Sequence, residues 1–109
     1  MLHGLRTAIY RVPDLDRAKA WYTEALGFEP YFDEPFYVGF NVGGYELGLN
    51  PDVTHVQPGE GGSIVYWGVA NADTALARLL DLGAAQIEEV RDVGDGIRHA
   101  IVHDPFGNV

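Results

Sequence analysis

The chain is 109 residues long, 47% hydrophobic and 12% aromatic, which suits one folded domain with one core and excludes a disordered tail. Seven basic against sixteen acidic residues leave a formal charge of -9; without clustered Lys and Arg, nucleic acid is excluded as the expected partner. Zero cysteines remove disulfides, thiolate metal sites and cysteine nucleophiles. No apolar run reaches the ~20 residues of a membrane span, and the opening MLHGLRTAIY lacks signal-peptide organisation. The expected setting is therefore cytoplasmic, with no membrane partner.

Leu5–Val12 alternates with β-branched and aromatic residues and breaks at Pro13-Asp14, as a strand running into a helix does. Asp14 is the expected N-cap of a helix over Leu15–Leu26, whose apolar residues recur at three and four and whose stop is Gly27. Three short strands are expected next, Phe28–Asp33, Phe36–Asn41 and Tyr45–Asn50, separated by Glu34-Pro35 and by the tight-turn pair Gly43-Gly44. Residues 51–62 are rich in turn formers and read as a linker. A strand at Ser63–Val69 follows, then an Asn71 N-cap, a helix over Ala72–Leu82 ended by Gly83, and strands at Gln86–Asp92 and Ile97–His103.

The order has repeated itself. Val12-Pro13-Asp14-Leu15-Asp16 and Val69-Ala70-Asn71-Ala72-Asp73 align at one offset, which also places Ala18 on Ala75 and Ala20 on Ala77. With one deletion, Leu26-Gly27 meets Leu82-Gly83. Strand, cap, helix and stop recurring in one register indicate a duplicated half-domain. Within a single domain of residues 1–109, the first module covers 5–50 and the second 63–109. The second module has two strands after its helix where the first has three, so its last strand is expected beyond Val109.

VPDLDRAKAWYTEALGFEP at 12–30 and HDPFGNV at 103–109, set in this duplicated βαβββ order, resemble the vicinal oxygen chelate superfamily. That superfamily contains glyoxalase I, bleomycin-resistance proteins and extradiol dioxygenases. The resemblance implies an α+β fold, two βαβββ half-modules forming a curved mixed sheet around a small-molecule cleft with helices on the outer faces. It also implies a homodimer, and in the enzymes a divalent metal such as Zn, Ni, Mn or Fe, held by one residue on each of four strands. Carried over by position, the visible ligand sites fall on Thr7, Glu46 and Ile64, and the fourth lies past Val109. Only Glu46 has the side chain usual for the family, so no cofactor is expected; Glu46 is the metal residue if one is bound.

The candidate cleft residues are Thr7, Ile9, Glu46, Gly48, Ile64, Tyr66 and His99, extended by Phe36, Val38 and Phe40. Strand alternation allows either His99 or Arg98 to face the cleft, but not both. A lining so apolar suits an aromatic or amphipathic small molecule better than a chelated metal. Three functions compete on these residues: a glyoxalase/bleomycin-resistance-like binder without the metal centre, a metal-dependent lyase, isomerase or dioxygenase, and a metal-independent enzyme with Glu46 as catalytic general base.

Overall fold

The structure, a computed structural model, describes residues 1–59 and 61–109, in two compact units, Met1–Pro58 and Gly59–Val109. It is of mixed α+β class. The linker expected over 51–62 includes Glu60, which lies outside the described residues.

In the first unit, β1 (Thr7–Arg11) leads into α1 (Leu15–Leu26), followed by β2 (Phe32–Glu34), β3 (Tyr37–Val42) and β4 (Tyr45–Asn50). The helix begins where the sequence places it: Asp14 accepts the backbone N–H of Arg17 at 3.1 Å, satisfying a donor that the first turn leaves open. It ends at Gly27, left-handed at φ 84° with its N–H on the Thr23 carbonyl, a conformation that costs glycine little. The four strands run in the order β1-β4-β3-β2, with β1 parallel to β4 and the other pairs antiparallel.

Strand alternation gives this sheet two chemically different faces. One carries the cross-strand rows Ala8–Leu47–Phe40 and Tyr10–Leu49–Val38. Phe40, Leu49 and Val38 are almost fully buried, as are Ala18 and Tyr22 of α1. Each large side chain so buried contributes roughly 1.5–3 kcal/mol. The opposite face carries Thr7, Ile9, Glu46, Gly48, Gly39 and Tyr37.

The second unit contains α2 (Ala72–Asp81), β5 (Ala85–Asp92) and β6 (Arg98–His103). Asn71 caps α2 by accepting the Thr74 N–H at 2.9 Å. No residue of α2 is fully buried, because the sheet it packs against has two strands instead of four. The DPFGN segment is a self-locked turn. Asp104 Oδ1 accepts the N–H groups of Phe106 and Asn108 at 2.9 and 2.8 Å, and its backbone N–H donates to the Asn108 carbonyl at 2.8 Å. Both Asp104 and Asn108 are buried, so the motif is explained by backbone satisfaction.

Three expectations are corrected. Residues 63–69 carry no strand: the first strand of unit one pairs with the fourth, and among the described residues of unit two no strand follows β6 for 63–69 to pair with. The strand expected over Phe28–Asp33 is shortened to Phe32–Glu34, Pro30 having no N–H for a ladder. Val38 and Phe40 lie on the helix side of the sheet and Phe36 sits in the turn before β3, so none of the three is on the Glu46 face of the sheet. The strand starts one residue later than expected, at Tyr37, and its register with β4, Gly39 opposite Gly48 and Asn41 opposite Glu46, puts Tyr37, Gly39 and Asn41 on that face in place of Val38 and Phe40.

Replacing Asp104 by Ala removes the side-chain acceptor of two backbone N–H donors at once. The variant is expected to lose about 1–3 kcal/mol of stability, read as a lower urea midpoint with the m-value unchanged.

Candidate functional site

Gly43-Gly44 turns the chain with φ 60° and 92°, a pair of positive values that favours glycine and sets a two-residue hairpin. Counting outward from it, Val42 meets Tyr45, Asn41 meets Glu46 and Gly39 meets Gly48. On the next strand Thr7 lies beside Glu46 and Ile9 beside Gly48. The sheet thus brings Thr7, Ile9, Glu46 and Gly48 together on one face.

The two paired glycines make room above the sheet. A Cβ on Gly48 would lie 1.9 Å from the Tyr37 hydroxyl oxygen, and one on Gly39 would lie 2.9 Å from Glu46 Oε1 and 3.3 Å from the Tyr31 ring. The space expected at Gly48 for a ligand is therefore filled by the Tyr37 phenol. Tyr31, aligned by its N–H on the Gly39 carbonyl at 2.9 Å, donates its hydroxyl to Glu46 Oε1. Tyr37 donates to Glu46 Oε2 at 2.8 Å and Thr7 donates to the same oxygen at 3.4 Å.

Three hydroxyls on one carboxylate stabilise its charge. The Tyr31 hydrogen bond, followed by those from Tyr37 and Thr7 and the field of Arg6, holds Glu46 below the usual carboxylate range against the opposing effect of burial. The phenols move the other way. Tyr31 is raised chiefly by donating to Glu46, and Tyr37 by burial and then by the same acceptor. An ionised carboxylate with a lowered pKa is a weak proton acceptor, which bears directly on the general-base role considered for Glu46. Beside it opens a pocket of about 350 Å³ lined by Arg6, Tyr31, Asn41, Gly44, Tyr45 and Glu46.

Tyr31 and Tyr37 are the residues that reading the sequence missed. The signal was present: the Gly43-Gly44 hairpin register puts Gly39 opposite Gly48 and Tyr37 two residues along the same face.

In the second unit, Tyr66 and His99 stack with ring centroids 5.4 Å apart. Arg98 turns to the helix, pairing with Asp73 of α2 at 2.7 Å. His99 Nε2 stands 3.7 Å from Glu88 Oε2. Ile64 is partly exposed and carries no ligating atom.

The residues present do not fit the divalent metal that the resemblance implies. Both oxygens of Glu46 are committed to hydroxyl donors, Ile64 has no donor atom, and among the described residues no three His, Asp or Glu side chains gather to hold a cation. Among the described residues, no helix is long and apolar enough to cross a membrane.

The family model for the Glyoxalase/Bleomycin resistance protein/Dioxygenase superfamily matches residues 4–109, and the chain belongs to that superfamily. No curated protein matches it. Among solved structures, it is similar to a superfamily member from Sphaerobacter thermophilus, with 24% identity and a TM-score of 0.75 over 99% of this chain and 94% of that one. A glyoxalase-related enzyme from Fulvimarina pelagi shares 20% identity at a TM-score of 0.74, over 98% and 84% of the two chains. Lactoylglutathione lyase from Agrobacterium tumefaciens shares 21% at 0.68, over 98% and 90%. At these identities the likeness establishes the fold.

Two measurements check this geometry. In a spectrophotometric titration, Tyr31 and Tyr37 are expected to ionise well above the ordinary phenol value near ~10, and Tyr31→Phe and Tyr37→Phe should each delete one late-titrating ring. Tyr31→Phe should also raise the Glu46 pKa. A carboxylate with a depressed folded pKa contributes stability above its unfolded value of about 4.3 and loses it as pH falls through the folded value, so this variant should lose less stability on acidification than the parent. Separately, Gly48→Ala is expected to displace the Tyr37 ring at a cost of about 1–3 kcal/mol and to bring the Tyr37 titration back toward normal.

Proposed function

We propose that this chain is a glyoxalase/bleomycin-resistance-like binder of small aromatic or amphipathic molecules that works without the superfamily metal centre. The observation that carries the reading is the commitment of both Glu46 oxygens to Tyr31, Tyr37 and Thr7. A cation would have to displace three hydroxyl hydrogen bonds and would find no second strong ligand on the adjacent strand. The same bonds hold Glu46 ionised and weakly basic, which favours recognition over proton abstraction. The surroundings suit an apolar body: Ile9 and Phe32 are exposed, and Phe32 lies 6.1 Å from Tyr37, ring to ring.

The test is a thermal-shift screen of the whole chain against aromatic and glycopeptide-like compounds, run beside Ni²⁺, Zn²⁺, Mn²⁺ and Fe²⁺ with elemental analysis of the purified protein. Stabilisation by organic ligands with no stoichiometric metal and no metal-induced shift is expected. A bound stoichiometric metal, or stabilisation by metals alone, would overturn the proposal in favour of a metal-dependent lyase, isomerase or dioxygenase.

A further inference from the structure

We infer that the Glu46 face of the first unit selects organic cations, specifically a primary ammonium carried on an aromatic body. This rests on the binder reading above and names the ligand class for that same site.

The argument is the direction of the hydroxyl protons. A phenol has one proton to donate. Tyr31 and Tyr37 both spend it on Glu46, as Thr7 does, so what these oxygens have left to offer a ligand is lone pairs only. The cluster therefore presents acceptors, and a complementary ligand must bring donors.

Charge points the same way. Glu46 is held ionised, yet among the described residues no Lys, Arg or His nitrogen forms an ion pair with it. Alternation along β2 puts Glu34 on the same face as Phe32, while Asp33 turns to the helix side and is paired with Lys19 at 2.8 Å. Arg6 lines the pocket and its field reaches Glu46 and Tyr31, but an anion drawn to it would also meet the Glu46 charge. A negative charge in no ion pair, flanked by Tyr31 and Tyr37 with Phe32 beside Tyr37, is an arrangement that attracts a cation both by Coulomb interaction and over ring faces.

Three near-isosteric probes separate the alternatives at pH 7: phenethylammonium, 2-phenylethanol and phenylacetate, titrated into the full chain by NMR. Phenethylammonium is expected to bind about tenfold tighter than the alcohol, to shift the resonances of Tyr31, Tyr37 and Glu46, and to lose its advantage as salt rises. Phenylacetate should bind weakest. Glu46→Gln, which keeps the shape and an acceptor, should level the ammonium with the alcohol. Should that variant fail to fold, the salt dependence and the shift map of the parent protein decide alone.

Equal or tighter binding of the alcohol or of phenylacetate would overturn the inference while leaving the binder reading in place. So would an ammonium that perturbs residues elsewhere. If none of the three binds at about 10 mM, far weaker than a specific site requires, the inference also falls. A flat response in the wider ligand screen would then remove the binder reading with it.

Discussion

Everything at the Glu46 face depends on two glycines meeting across a hairpin. Gly39 and Gly48 are cross-strand partners, and with no side chain at either, the rings of Tyr31 and Tyr37 lie close over the sheet and meet at one carboxylate. A methyl group at Gly48 would occupy the place of the Tyr37 hydroxyl. The glycines are there for close approach rather than for a special φ, since neither has a positive value. Backbone flexibility is a smaller consideration than the volume they leave open.

The consequence is a carboxylate whose chemistry differs from what its position in the family implies. A metal ligand needs a free lone pair directed at the ion, and a general base needs a pKa near the working pH. Three hydroxyl donors reduce both capacities while preserving the negative charge. On the reading proposed above, charge that is retained, ordered and, among the described residues, outside any ion pair serves recognition. On the same reading, the adjoining aromatic side chains supply apolar contact area for the proposed ligand.

The two units show how strand number controls burial. α1 sits on four strands and buries Leu15, Ala18 and Tyr22; α2 has the same capping chemistry and a comparable apolar stripe but sits on two strands and buries none of its residues. Helix ends are decided locally, by a side-chain acceptor and a glycine, whereas burial of the stripe needs a sheet wide enough to cover it. The terminal DPFGN turn belongs to the local category, since the bonds that Asp104 makes to Phe106 and Asn108 lie within five residues.

Local signals in the sequence accordingly determine much of this protein. Both N-caps, the helix over Leu15–Leu26, the Gly43-Gly44 hairpin, β4 and the superfamily are legible there, because caps, turns and periodic stripes act over three or four residues. That Thr7, Ile9, Glu46 and Gly48 share one face is legible too, because alternation sets the parity within β1 and β4 and the resemblance aligns the two strands. Tertiary structure decides what Glu46 contacts and which way β3 faces. Those depend on register across strands, where a one-residue slip exchanges the faces, and this is why Val38 and Phe40 were expected on the side that Tyr37 occupies. The partners of His99 and Arg98 are likewise settled in space, by the Tyr66 ring and by Asp73, neither of which is a near neighbour in the chain. Sequence placed the carboxylate on its face; only packing across the paired glycines decided that hydroxyls would hold it.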